Sequence, residues 1–330
     1  MDNTSNKKNI AIVAGGYSSE YVISLKSAEG IYSFIDPDRY NLYIVLITKD
    51  KWIVQKDGKE FSVDKNDFSF IEDGQKTNFD FAYITIHGTP GENGLIQGYL
   101  QMLDIPFSCC DVLAASLSFN KFVCNQYLKT YGISIADSIW LKTGESVESD
   151  EIVNKLGLPV FVKPNDGGSS FATTKVNEKE KLQEAIALAF GEGKEVIIEQ
   201  FIPGTEVTCG CYKVGGKETV FPITEVVSKN EFFDFDAKYN PASVEEITPA
   251  RISPELTEKI QKMTSRVYDY LGANGIIRVD YIITPAGEVK MLEVNTTPGM
   301  TKTSFIPQQI RAAGLDIREV MTEIIEGNRS

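Results

Sequence analysis

The segment from Ile276 to Asn295 constrains the fold more tightly than any other. Two β-branched runs, Ile276–Ile283 and Val289–Val294, flank Thr284-Pro285-Ala286-Gly287. Pro and Gly in so short a gap are turn residues, so the spacing predicts a β-hairpin. A tight turn pairing Ile283 with Glu288 sets Arg278 opposite Glu293. Side chains alternate along a strand, and Arg278, Asp280, Glu293 and Asn295 then leave one face. Three oxygen-bearing side chains beside a guanidinium suit a hard cation and an anion. Mg²⁺ shared by two carboxylates, an amide oxygen and ligand phosphates fits that set. Taken alone, the same face also reads as a solvated hairpin with a cross-strand ion pair.

The chain of 330 residues is long enough for a sizeable core and for two or three domains. Its net charge of −13, from 33 basic and 46 acidic residues, disfavours nonspecific binding to nucleic acid or to an anionic membrane. No apolar run reaches membrane-spanning length, and the polar opening MDNTSNKKN gives no secretory signal. The five cysteines, Cys109, Cys110, Cys124, Cys209 and Cys211, follow neither zinc nor disulfide spacing and are expected as buried thiols in a reducing cytoplasm. With His87 as the single histidine, a multi-histidine metal site is excluded.

In chain order, residues 9–14 form a strand that runs into Gly15-Gly16-Tyr17-Ser18-Ser19-Glu20 and a helix over 21–34, with Ser18 or Ser19 as the expected cap. Such a turn can receive an anion on backbone N–H groups, although Glu20 also suits a plain helix start. A strand is expected over 40–47, irregular or short-strand sequence over 52–77, and a strand over 81–86 that ends at His87 and the loop GTPGENG. Open α/β sheets collect ligands at such strand ends. A helix follows over 95–103, making residues 9 to about 110 a strand–helix–strand parallel unit. One helix over 116–131 carries Lys121. Lys163 alternates with Phe161 on a strand over 158–164, opposite Val160 and Val162, and a lysine there calls for an anionic partner. The small-residue loop 165–171 can lie over phosphates but lacks the P-loop spacing. Beyond it the pattern gives a helix over 178–190 and strands over 195–202 and 219–227. The aromatic, acidic stretch 231–240 suits a lid or a pinned surface loop. Helices are expected over 254–271 and, as one piece, over 307–326.

Taken together, GGYSSEYVISLKSA (15–28), HGTPGENGLIQGYL (87–100), SFNKFVCNQYL (118–128), FVKPNDGGSSFATTKV (161–176), EVIIEQFIPGTEVT (195–208), FFDFDAKY (232–239) and RVDYIITPAGEVKMLEVNTTPGMTKTSFIP (278–307) resemble the D-alanine–D-alanine ligase family of the ATP-grasp superfamily. The resemblance implies an α/β protein, α+β in its central and C-terminal parts, with an ATP-grasp fold behind an N-terminal Rossmann-like parallel sheet. It implies three domains: 1–112 for substrate, 113–204 for the lysines and phosphate loop, and 205–330 for metal and catalysis. The activity implied is ligation of two D-alanines through a D-alanyl phosphate, releasing ADP and phosphate, for peptidoglycan precursors. A cytoplasmic homodimer is the usual assembly. ATP would contact Lys121, Lys163, Gly168, Ser169, Ser170, Glu199, Gln200, Phe201, Ile202, Glu206 and Lys238. Mg²⁺, two ions with Mn²⁺ able to substitute, would take Asp280, Glu293 and Asn295. Arg278 and the Gly299 amide would hold the oxyanion, and Ser304 and Phe305 the second substrate's carboxylate. Glu20 would hold the first D-alanine's ammonium, with His87 near its carboxyl, and Glu20, Ser169 and Tyr239 would form a network. Departures from the family pattern are Tyr21, Asn93, Ala172 and Gln200, none of them a metal or phosphate ligand. Ligases that take D-lactate or D-serine second, and a non-catalytic nucleotide-binding protein, remain as alternatives.

Overall fold

The computed structural model describes residues 7–167, 172–228 and 244–327. The calls on Gly168, Ser169, Ser170, Lys238 and Tyr239 lie outside the described residues.

Three sheets carry the chain. In the first, β1 (Lys8–Gly15) pairs in parallel with β2 (Tyr40–Ile47) and with β7 (Phe81–Ile84), and helix α1 (Tyr21–Phe34) crosses between β1 and β2. The stretch 52–77 is more regular than its polar composition suggested. It forms β3 (Trp52–Lys56), β4 (Lys59–Asp64), β5 (Ser69–Glu72) and β6 (Gln75–Asn78), an antiparallel extension of the same sheet. Phe68 and Phe70 anchor it among Tyr43, Phe79 and Tyr99.

Helix α2 (Leu95–Met102) leads to α3 (Val112–Phe119) and α4 (Lys121–Thr130). The single helix expected over 116–131 is thus two. Asn120 breaks it in extended backbone and caps α4, its side chain accepting from the Val123 N–H at 3.0 Å. That break sets Lys121 at the first position of a helix instead of on a solvated face.

The second sheet is antiparallel, ordered β10 (Thr174–Val176), β9 (Val160–Pro164), β11 (Glu195–Gln200), β8 (Ser138–Lys142). Two of its elements left no clear sequence signal, β8 and the short helix α5 (Ser149–Leu156). Helix α6 (Leu182–Glu192) covers it. Its core is its own: every member, from Ile139 to Ile198, comes from this region.

The third sheet follows the order β15 (Val244–Ile247), β14 (Thr224–Ser228), β12 (Thr205–Val214), β16 (Ile277–Ile283), β17 (Val289–Asn295), with β13 (Lys217–Val220) also on β12. Phe221-Pro222-Ile223 divides the strand expected over 219–227 into two. Helix α7 (Pro254–Leu271) packs on this sheet through Ile260, Val267 and Leu271, together with α3 and α4. The last expected helix is also two, α8 (Phe305–Ala312) and α9 (Ile317–Gly327), because Gly314 between them takes a positive φ of 70°. Their Ile306, Ile310, Val320 and Ile324 share one core with Ile10, Ile12 and Phe81 of the first sheet. The first and third sheets are therefore joined by a continuous apolar contact, whereas the second packs by itself.

Candidate active site

The hairpin β16–β17 forms, but its register differs from the simple expectation. Arg278 pairs with Asn295 and Asp280 with Glu293, and the register shifts between Asp280 and Tyr281. Uninterrupted pairing from Ile283–Val289 would set Leu292 across from Asp280 and turn Glu293 onto the apolar face with Val279. The extra residue at Leu292 is a β-bulge, and it lets Val289, Met291 and Val294 stay in the core while Leu292 and Glu293 both line the cleft. The four polar side chains do share one face, as the alternation implied.

Asp280 is the most heavily bonded of them. Arg278 donates to both its oxygens, at 2.9 and 2.8 Å, the Thr208 hydroxyl donates at 2.5 Å, and the Asn295 amide at 3.1 Å. A carboxylate has about four lone-pair positions. A cation reaching Asp280 must therefore displace a donor, and Arg278 is the one that can turn to an anion in the cleft. The guanidinium also lies 5.3 Å from the centre of the Phe305 ring. Two carboxylates and an amide, all oxygen donors, fit a hard divalent ion.

Lys163 leaves β9 on the face opposite buried Val160 and Val162, as its alternation predicted. It pairs with Glu199 of β11 at 2.5 Å. Burial pulls the lysine's pKa down, but Glu199 and Glu293 outweigh it and hold the pKa above the ordinary value. Glu199 also accepts from Asn125 at 3.5 Å, and with Gln200, Phe201 and Ile202 it lines the cavity.

Lys121 donates to the Gly167 carbonyl at 2.5 Å, where the small-residue loop begins. Its pKa is lowered by burial and by the charge of Lys163, against the pull of Glu293. Its position is fixed from below. Asn165 accepts from the Phe122 N–H, and the Glu195 carboxylate gathers Asn120, Asn165 and the Trp140 indole.

Opposite these residues stands the first sheet. Glu20 occupies the N-cap position of α1 and is buried; the capping by Ser18 or Ser19 does not occur, and Ser18 instead donates to the His87 carbonyl and accepts from the Glu20 N–H. His87 is buried against Ser27, and burial lowers its pKa, so the ring is neutral at pH 7. Glu92 was not singled out from sequence. Its carboxylate accepts from the Gly88 N–H at 2.7 Å, and burial followed by the charge of Glu20 pushes its pKa up to about 8. Helix α1 meets the turn 296–301 closely: a Cβ on Gly30 would sit 2.1 Å from the Met300 carbonyl. That contact packs α1 against the turn that holds Gly299.

Two cavities meet here. One of about 740 Å³ is lined by Lys163, Phe201, Ile202, Glu206, Ile282 and Leu292. The other, of about 1060 Å³, is lined by His87, Glu92, Asn295, Gly299 and Ser304, among others. Glu20, Lys121, Arg278, Glu293 and Phe305 belong to both. At the far wall, the Ser304 hydroxyl accepts from the Thr301 N–H and does not cap α8. The cleft thus joins a nucleotide-sized pocket to a small polar pocket, with the cations and carboxylates at their junction.

A cleft between two antiparallel sheets, with two neighbouring lysines on one side and carboxylates on the hairpin of the other, defines an ATP-grasp enzyme. The comparisons agree. The model for the D-ala D-ala ligase N-terminus matches residues 9–110, and that for the C-terminus matches residues 127–326. A D-alanine–D-alanine ligase from Parabacteroides distasonis is 67% identical over 97% of both chains, and one from Porphyromonas gingivalis W83 is 58% identical over 97% of both. Among solved structures, the VanG D-Ala:D-Ser ligase from Enterococcus faecalis superposes with a TM-score of 0.85 at 32% identity, covering 97% of this chain and 99% of that one. A D-alanine–D-alanine ligase from Bacillus anthracis complexed with ATP superposes with a TM-score of 0.78 at 32% identity, covering 98% and 97%. This chain belongs to the D-alanine–D-alanine ligase family.

Proposed function

We propose that the chain joins two D-alanines to D-alanyl-D-alanine, using ATP, for peptidoglycan precursors. The observation that carries this is the junction of the two cavities, where Lys121, Lys163 and Arg278 face Asp280, Glu293 and Asn295 across from Glu20 and His87. A carboxylate is a poor electrophile. The first D-alanine's carboxylate attacks the γ-phosphorus, ADP leaves, and an acyl phosphate forms. Lys121 and Lys163 offset the repulsion between these anions. Glu20 holds the first ammonium, and neutral His87 offers a hydrogen bond to the carboxyl group. The second D-alanine docks its carboxylate at the N-terminus of α8, beside Ser304 and Phe305. Its amine attacks the acyl carbon, Arg278 and the Gly299 N–H hold the oxyanion, phosphate leaves, and the amine's proton passes to solvent. Glu20, Ser169 and Tyr239 orient the closing loops. Asp280, Glu293 and Asn295 would hold Mg²⁺, or Mn²⁺ in its place. When bound, that ion supplies Lewis-acid neutralisation of the phosphates.

The adenine is assigned to the segment Glu199, Gln200, Phe201 and Ile202, the ribose to Glu206, and the phosphates also to Gly168, Ser169, Ser170 and Lys238. Three parts, 1–112, 113–204 and 205–330, each carry one sheet. No described helix is long and apolar enough to cross a membrane, which suits a cytoplasmic enzyme. A homodimer would cover the outer faces of α2 and α3, where Leu95, Met102 and Leu113 are 60%, 80% and 73% exposed. Hydroxylamine trapping tests the reading: ATP and D-alanine together should yield D-alanyl hydroxamate, and its absence alongside normal ATP binding would refute the acyl phosphate.

A further inference from the structure

Lys121 and Lys163 face the cleft from one side, yet they come from different cores. Lys121 opens α4, whose Cys124 and Leu128 lie in the core of the third sheet. Lys163 stands on β9, whose Val160 and Val162 belong to the core of the second sheet. Packing within either core leaves the separation of the two lysines open, so it is set where α4 meets the second sheet. Asn165 makes that joint. It follows Lys163 by two residues and is fully buried. Its N–H donates to the Glu195 carbonyl at 3.0 Å, and its carbonyl accepts from the Lys121 N–H at 3.1 Å. Its side-chain oxygen accepts from the Phe122 N–H at 2.8 Å, and its side-chain amide donates to the Glu195 carboxylate at 2.7 Å. The first N–H groups of a helix have no partner within it. In α4, Asn120 takes the Val123 N–H, and Asn165 takes the two before it from another sheet. The helix that carries Lys121 is thus capped in part by the strand end that carries Lys163. Around this cap, the Asn120 amide and the Trp140 indole donate to the same Glu195 carboxylate at 3.1 and 3.0 Å, and the Phe122 and Trp140 rings stack at 4.9 Å. Further along α4, Asn125 reaches Glu199 only at 3.5 Å.

We propose that Asn165 is a positioning residue: by capping α4 across the two cores it fixes the spacing of Lys121 and Lys163, and with it the affinity for the phosphate chain of ATP. A lysine acts on phosphate as a point charge, and its contribution falls with distance. With the cap in place, both ammonium groups meet one polyphosphate without reordering. Without it, the first turn of α4 loses the bonds that hold it against the end of β9. The adenine contacts at Gln200, Phe201 and Ile202 lie on the chain leaving β11 and do not pass through the joint. Asn165 itself touches no substrate. The inference rests on the reading of the cleft as an ATP site and deepens it.

The test titrates the protein, with Mg²⁺ and without D-alanine, against ATP and separately against adenosine. Asn165→Ala removes both side-chain bonds and leaves the backbone pair. It should bind ATP about tenfold more weakly than wild type and bind adenosine equally well. Glu195→Gln keeps an acceptor for Asn165 and removes the charge. It should weaken ATP about threefold, again with adenosine unchanged, and it serves as the test where the alanine variant fails to fold. Trp140→Phe keeps a ring against Phe122 and removes one bond to the same carboxylate. It should lower the melting temperature and leave ATP binding at wild type. Unchanged ATP binding in the Asn165 and Glu195 variants would overturn the proposal. So would an equal loss for ATP and adenosine, the mark of a merely structural defect, or a loss in Trp140→Phe as large as in Asn165→Ala. Wild type that binds no ATP would refute the reading of the cleft first, and the inference with it.

Discussion

Asp280 lies directly across the floor hairpin from Glu293, at the step where the β16–β17 register shifts. The bulge at Leu292 is what brings the two carboxylates to one side. Glu293→Gln keeps the shape of the side chain and removes a charged oxygen donor. We expect kcat to fall at least about 100-fold, since metal-borne charge neutralisation contributes several kcal/mol. The melting temperature of the ligand-free protein should hold. Isothermal titration with Mn²⁺ in the presence of ATP should show weakened metal binding. Near-normal turnover would remove Glu293 from the metal set.

Lys163 has two tasks that mutants can separate. It neutralises Glu199 within the protein and faces the nucleotide pocket. Lys163→Ala should raise the ATP KM and lower kcat, and should also destabilise the fold, because Glu199 is left buried without its cation. Adding Glu199→Gln should recover much of the melting temperature and none of the activity. Recovery of both, or of neither, would contradict this division.

Glu92 sets a pH dependence with a definite sign. Its carboxyl, raised from 4.5 to about 8, keeps a proton in the folded chain that the unfolded chain has released. Between those values the folded state binds more protons, so this contribution is complete below 4.5 and is lost as the pH rises through about 8. Glu92→Gln, which resembles the protonated acid, should therefore gain stability relative to wild type as the pH rises from about 6 to 9. Thermal melts of the ligand-free pair across that range check it, and a constant difference would count against it.

Ala172, at the end of the small-residue loop, holds a positive φ of 50°. A side chain in that region costs roughly 1–2 kcal/mol, and glycine avoids the cost while adding freedom to the unfolded chain. Ala172→Gly should leave stability within about 0.5 kcal/mol, while the β-branched Ala172→Val should lose more than about 1 kcal/mol despite its partly exposed position. Chemical denaturation of both variants measures this. Equal stability of valine and glycine would refute the strain.

Much of the site was legible because its chemistry sits on regular alternation. Lys163, Arg278, Asp280 and Asn295 each follow from which face of a strand is apolar. The register of Glu293 was not legible, because a bulge leaves no mark in a two-residue period; only the wish to bury both Met291 and Val294 hints at it. The break before Lys121 was visible in principle as Asn at a cap position, yet it sat inside an apolar pattern that read as one helix. Glu92 escaped because nothing local distinguishes a desolvated glutamate from a solvated one. Its environment comes from Gly88 nearby and from Glu20, which is distant in sequence. The strands within 52–77 escaped because their polar residues mask aromatic anchors that pair only in three dimensions.

The central claim is that this cleft couples ATP cleavage to dipeptide formation. The direct measurement is simultaneous quantification of ADP, phosphate and peptide after incubating the protein with ATP, Mg²⁺ and D-alanine. The account predicts D-alanyl-D-alanine, ADP and phosphate in equal amounts, with no ADP when D-alanine is omitted. ATP bound without turnover, or ADP released independently of D-alanine, would contradict it.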